Sequence, residues 1–214
     1  MLYTIKRQPE DISAYKFDTE FSPEALAEGW QELETACIAD YPWLADYPDN
    51  FPAFAKVGWN KNGINVLMYA KEAPVLAENR GWEGMPCQDS CLEFFFKPFP
   101  EQDERYFNFE VNPVGAVCAM TGEGRPNRAR FTRPIEGMSV NTVVSGEWWA
   151  VSYNIPVALV KQCFGSELTV GCILRGNFYK CSEKIHKHFG TWAHVVAPRP
   201  DFHRPECFEE LVLE

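Results

Sequence analysis

The sequence predicts an all-β chain: an antiparallel, jelly-roll-like β-sandwich with one or two short helices. Three observations carry this. Apolar and polar residues alternate with period two in one segment after another, the mark of half-buried strands. These segments, about ten or eleven of them, are separated by Gly, Asn or Pro turns at hairpin spacing, as in two-sheet proteins. Helical spacing is confined to two short stretches.

The 214 residues suit one domain over 1–214, with 1–53 as a lead-in segment packed on it. Leu2 to Ile5 reads as a short edge strand. Ser22-Pro23-Glu24 reads as a helix start, with Ser as N-cap, Pro at the first helical position and an acid in the first turn. Leu26, Trp30 and Leu33 follow at helical spacing, which Gly29 interrupts. Tyr41 to Pro52 (YPWLADYPDNFP) is an irregular loop by its prolines and acids. Its Asp46, Asp49 and Asn50 offer the oxygen ligands that calcium takes, although a solvated loop is the favoured account of them. No cofactor is required anywhere, and calcium is the one structural ion the pattern allows.

Regular strands are expected from Phe54. Ala55 to Trp59 and Ile64 to Lys71 flank Asn60-Lys61-Asn62-Gly63, a hairpin turn ending in Asn-Gly. A loop over Ala73 to Gln88 carries Trp82. Next comes the ribbon around which the chain is organised. In CLEFFF, Leu92, Phe94 and Phe96 share one face; in YFNFEVN, Phe107, Phe109 and Val111 do the same. The opposite face carries Glu93, Phe95, Tyr106, Asn108, Glu110 and Asn112. Gly115 to Thr121 continues as a strand, and Gly122 to Pro134 is a basic loop with Arg125, Arg128, Arg130 and Arg133. Ser139 to Val144 and Trp148 to Ile155 form a second hairpin, Pro156 opens a short helix over VALVKQCF, and Gly165 closes it. Leu168 to Leu174 reads as a central strand that releases RGNFYKC into a loop. Trp192 to Val196 and the closing FEELVL read as strands.

The polar face of the ribbon is the functional clue. Two carboxylates, amides, a phenol and an aromatic ring on stiff backbone suit a sugar, whose hydroxyls want acceptors and whose ring wants an apolar plate. The plainer alternative is the wet face of an antiparallel sheet. Asp89, Ser90, Glu93, Phe95 and Phe96, followed by Tyr106, Asn108, Phe109, Glu110, Asn112 and Gly115, resemble the signature of the family 9 carbohydrate-binding modules and their stand-alone relatives. Gly176 to Cys181, Trp192 and Pro200 to Phe208 resemble the same group, so the similarity runs from about Phe54 to the C-terminus. The resemblance implies a non-catalytic sandwich that clamps a terminal glucose-like ring between two tryptophans. Trp82 is then the candidate for one plate. The family's second tryptophan has no counterpart in the last loop, where Phe202 and His203 stand, so glucan-end specificity does not carry over with the resemblance.

The candidate ligand-binding residues are Trp82, Glu93, Phe95, Asn108, Glu110, Arg128 and His203, together with Arg175, Asn177 and Lys180 from the predicted loop after the central strand. The expected partner is a mono- or oligosaccharide. The alternative is a glycan-active hydrolase: Glu93 and Glu110, if directly opposed, have Cβ atoms within about 5 Å, and retaining glycosidases hold two carboxyls about 5–5.5 Å apart.

Composition excludes other classes. Hydrophobic residues at 46% and aromatics at 14% supply a core. Thirty acidic against 20 basic residues, a formal charge of −10, argue against nucleic acid and anionic membranes. The start, MLYTIKRQPEDISAYKF, has no apolar segment behind a basic one, which reads as cytoplasmic, or as extracellular if a leader has been removed. The eight cysteines read as reduced thiols. Cys87 and Cys91 are the closest pair, but no second pair at zinc-ligand spacing follows, and His186-x-His188 falls in a charged loop expected to be solvated, so no metal site is expected.

Overall fold

A computed structural model describes all residues, 1–214. Thirteen strands are present: β1 (Leu2–Arg7), β2 (Ala36–Ile38), β3 (Ala53–Asn60), β4 (Gly63–Lys71), β5 (Cys91–Lys97), β6 (Tyr106–Val111), β7 (Val117–Gly124), β8 (Asn127–Arg130), β9 (Val140–Ser145), β10 (Trp148–Pro156), β11 (Ile173–Ser182), β12 (His188–Thr191) and β13 (Glu209–Leu213). One α-helix, α1 (Val157–Phe164), follows Pro156 and ends at Gly165, whose φ of 74° is the left-handed C-cap that glycine adopts without strain.

The strands build two sheets that share β1. The first runs β8-β7-β6-β5-β11-β13-β1 and the second β1-β3-β4-β10-β9. Leu2 to Ile5 pair in parallel with β13, and Lys6 and Arg7 pair in parallel with β3. The expected edge strand is therefore an interior seam, and these two ladders are the parallel exceptions in an otherwise antiparallel sandwich. A second seam closes the other end, where Asp40, just after β2, exchanges backbone hydrogen bonds with Thr191 at 2.7 and 3.1 Å.

Between the sheets lies the main core. Leu92, Phe94, Phe96, Phe107, Phe109 and Val111 enter it from one side and Ile64, Val66, Met68, Ala70, Trp149 and Val151 from the other. The alternation read in the sequence orients these side chains, because period two puts every second residue on one face. The sequence understates how much is covered. The outer face of the second sheet carries Leu67, Tyr69, Val143 and Ala150, and the lead-in segment lays Phe21, Leu26, Trp30 and Leu33 on them. That segment is not the expected α-helix. A single 3-10 turn, Pro23–Ala25, is capped by the Ser22 hydroxyl, which accepts from the Glu24 amide. Gly29 then takes φ +81°, which breaks helical continuation.

Three further expectations are corrected. Leu168 to Leu174 is not a central strand: Gly171 turns the chain at φ +84° and β11 begins only at Ile173. RGNFYKC consequently lies inside β11, paired with β5 on one side and with β13 and then β12 on the other. The basic loop is a hairpin, β7 turning into β8. Trp192 to Val196 is irregular, the strand having ended at Thr191.

Placing Lys180 in a strand has an energetic consequence. Period two turns it inward with Phe178, into the space between the sheets. Its ammonium pairs with Glu72 at 2.9 Å, both side chains essentially inaccessible to solvent. Glu72 also accepts from Trp149 Nε1 and Ser90 Oγ, each at 2.9 Å. The second Lys180 contact is His188 Nε2 at 2.7 Å. Burial pushes the His188 pKa down to about 2, so this ring is neutral and accepts. A buried pair of this kind need not stabilise relative to apolar residues, but removing one member leaves a desolvated charge. Lys180→Met should therefore cost about 3–5 kcal/mol in urea unfolding, and the double variant Lys180→Met, Glu72→Gln should recover part of it. A loss under about 1 kcal/mol would refute this account of the pair.

Candidate functional site

The outer face of the first sheet holds the site. Register sets Tyr179, Glu93, Glu110 and Cys118 side by side across β11, β5, β6 and β7. The adjacent row is Asn177, Phe95, Asn108 and Met120. The sequence anticipated a solvated face, but Glu93, Phe95, Asn108 and Glu110 are all buried. Two coverings explain it. Trp43, Tyr47 and Phe189 pack with Phe202 over the sheet, and Trp43 Nε1 donates to the Ala197 carbonyl at 2.9 Å. The turn before β13 adds its own rings: Phe202 stacks on Tyr179 at 4.1 Å and 11°, and His203 on Phe95 at 5.0 Å and 27°.

What stays open is a cavity of about 230 Å³. Glu93, Glu110, Cys118, Met120 and Cys181 form its floor, Arg125 and Arg128 one wall, and Phe189, Asp201, Phe202 and His203 the other. Its polar groups are prearranged. Asn108 Nδ2 donates to Glu110 Oε1 at 3.0 Å, and Asn108 Oδ1 accepts from Arg128 Nη1 at 3.3 Å. Asp201 accepts from Arg125 Nε at 3.3 Å and pairs with Arg204 at 3.0 Å. His203 Nδ1 sits 2.9 Å from the Tyr106 hydroxyl.

Of the sequence candidates, Glu93, Glu110, Arg128 and His203 line the cavity. Phe95 and Asn108 lie just outside its lining, supporting His203 and the Glu110–Arg128 pair. Four others are elsewhere. Trp82 packs against the main core, its carbonyl accepting from Arg130 at 3.0 Å. Arg175 is exposed and faces Glu210 at 3.7 Å. Asn177 holds Ala193 through two hydrogen bonds of 2.9 Å. Lys180 points to the opposite side of the sheet. All three β11 candidates were placed by the expectation of a loop, and a strand splits them between two faces. His188, expected in a solvated loop, is buried against Lys180, while the proposed calcium donor Asp49 faces His186 at 3.5 Å. Asp201, Phe202 and Cys181 fall in stretches that carried the family resemblance without being singled out, whereas Phe189 had no sequence signal.

Desolvation dominates the electrostatics. It raises the Glu93 carboxyl well above its ordinary range, helped by neighbouring Cys181 and Glu110. Glu110 is raised to about 7, with Arg128 and Arg130 pulling back. His203 is lowered to about 3 by burial and then by Arg128 and Arg125, so it is neutral. A carboxyl titrating near neutrality beside one whose proton is held more tightly can both accept from and donate to hydroxyls.

With this geometry in view, the comparisons are informative. A family profile, carbohydrate-binding family 9, matches residues 22–213. The chain belongs to that family. The family is one of non-catalytic carbohydrate-binding modules. Over 99% of both chains the fold is similar to that of a candidate carbohydrate-binding protein from Bacteroides uniformis ATCC 8492, at 26% identity and a TM-score of 0.79. A family 9 module from Caldicellulosiruptor kristjanssonii, solved with glucose and with cellotriose, is 14% identical at a TM-score of 0.65, covering 100% of this chain and 96% and 94% of that one. No curated protein matches in sequence. Membership agrees with the sandwich expected from the sequence.

The raised Glu110 pKa makes a signed prediction. The folded state holds this proton more tightly than the unfolded chain, whose carboxyl titrates near 4.5. Its stabilising contribution is complete below that pH and is lost as pH rises to about 7. Neutral His188 and His203 act oppositely, costing stability as pH falls below about 6.5. The difference in unfolding free energy between the wild type and Glu110→Gln isolates the carboxyl. It should decline from pH 4.5 to 7, by about 1.4 kcal/mol for each tenfold difference in proton affinity. A flat difference across that range would contradict the assignment.

Proposed function

We propose that this family 9 domain binds carbohydrate in the Glu93–Glu110 cavity, taking a single terminal sugar ring or a soluble sugar derivative. The observation that carries the reading is the cavity itself: one enclosed space combining paired buried acids, two arginines, Asp201 and an aromatic wall. At about 230 Å³ it is smaller than the usual 300–1,000 Å³ of drug-sized ligand sites, which favours one ring over a chain lying along the sheet. Arg128, already braced by Asn108, would donate to ring hydroxyls. Glu110, titrating near neutrality, would accept or donate, and Phe189 and Phe202 would cover the apolar side of the ring. The glucose and cellotriose complexes of the Caldicellulosiruptor module support hexoses as the first ligands to try. The hydrolase alternative has less support, because the family is non-catalytic.

The test is a thermal-shift and calorimetry screen of the protein against mono- and oligosaccharides, with and without calcium. A ligand at 100 times its Kd should stabilise by about 2.7 kcal/mol. Glu110→Gln should weaken binding by about 1–3 kcal/mol, roughly 5- to 150-fold, the cost of leaving a buried partner unsatisfied. No new reducing ends should appear on prolonged incubation. If no sugar in a broad panel shifts the melting temperature, the cavity assignment falls; turnover abolished in Glu110→Gln would favour the hydrolase.

A further inference from the structure

At the cavity floor Glu93 also belongs to a second constellation, whose two thiols the sugar reading does not use. Cys91 and Cys181 are direct cross-strand partners on β5 and β11, and Glu93, two residues along β5, lies on the same face. The two sulfurs and a Glu93 oxygen lie within 4.8 Å of one another, and all three side chains are buried. Cys181 Sγ is 3.1 Å from Glu93 Oε1. We propose that Cys91, Glu93 and Cys181 bind a soft divalent cation of the zinc class, with the fourth coordination position turned toward the cavity.

Three points support this. The first is size. Tetrahedral zinc bonds to sulfur at about 2.3 Å and to carboxylate oxygen at about 2.0–2.2 Å, which sets ligand-to-ligand edges of roughly 3.6–3.8 Å. The donor atoms here, 3.1 Å apart for Cys181 Sγ and Glu93 Oε1 and within 4.8 Å for every pair, bracket that spacing. The second is charge. No Lys, Arg or His nitrogen pairs with Glu93, although its side chain is only 2% exposed. Ionised carboxylates are rarely buried without a cationic or metal partner. A divalent ion held by two thiolates and this carboxylate would supply that missing partner and leave the site with a net charge of −1. The third is selectivity. Two thiols with one carboxylate suit zinc, whereas calcium and magnesium take all-oxygen sets.

Glu93 and Cys181 both line the cavity, so the open position is reachable from solvent. Cys87 lines the same wall, and its carbonyl is 3.9 Å from Cys181 Sγ. Water is the expected fourth ligand at the open position. The Cys87–Cys91 spacing is the pair the sequence left without a second half. β11 supplies that half from about ninety residues away in register, which no spacing rule detects.

The proposal does not rest on sugar binding, and its test uses no sugar. The full chain, reduced and freed of metal by chelation, is titrated with Co2+ under anaerobic conditions. The expected result is one equivalent bound, with thiolate-to-cobalt charge transfer in the near ultraviolet and the intense visible bands of tetrahedral cobalt, both displaced by Zn2+. Cys37→Ser, which removes the exposed thiol, should leave the spectrum intact. Cys91→Ser and Cys181→Ser should each lose most of the charge-transfer intensity, and Glu93→Gln should weaken Zn2+ at least tenfold in competition with a chelating dye. The wild-type titration decides the matter even if a core variant misfolds. Absence of the charge-transfer band in wild type, or its loss in Cys37→Ser, overturns the proposal. So does a Cys91–Cys181 disulfide in protein purified without reductant, seen as two thiols missing of the eight.

Discussion

Acidic side chains stand in the middle of a sheet covered on both faces, and most of this molecule's chemistry follows from that. Glu93 and Glu110 face each other across β5 and β6 with neither paired to a cation at ion-pair distance. Desolvation then decides their state, because burial penalises the charged form more than the two nearby arginines repay for Glu110. The neighbours are consistent with that economy: thiols, an amide and a phenol, all groups that hydrogen-bond without charge.

The covering that makes this environment is built from distant parts of the chain. Trp43 and Tyr47 come from the segment before β3, Phe189 from β12, and Phe202 and His203 from the turn before β13. They meet over the sheet because both seams bring the chain's beginning and end together. β1 lies between β13 and β3, and Asp40 bridges to Thr191. The aromatic wall is therefore as stable as these seams. The buried Lys180–Glu72 pair lies on the other side of the same β11 strand that carries Tyr179 and Cys181, so the core and the cavity share one backbone.

The departure from two tryptophan plates also has a physical reading. Trp82 faces the core, and the last loop contributes a phenylalanine and a neutral histidine, each already stacked on a ring of the sheet. Two plates projecting into solvent can clamp a sugar from both sides. Rings laid flat onto the sheet instead narrow the opening to a small cavity with polar walls. Recognition would then depend more on hydrogen bonding and less on stacking.

Local pattern was enough to read the ribbon of β5 and β6, its division into an apolar and a polar face, both hairpins and α1 between Pro156 and Gly165, since period, turn residues and caps act over a few residues. It was also enough to mark Glu93, Glu110, Arg128 and His203. It could not show that the polar face is buried, because the residues that cover it are far away in sequence. Nor could it place Lys180 and Asn177, since a strand buried on both sides by β5, β12 and β13 lets polar residues stand where a loop would be inferred. Hydrophobic pattern reports which side chains avoid water; only the tertiary structure decides which polar ones are denied it, and in this protein those line the candidate cavity.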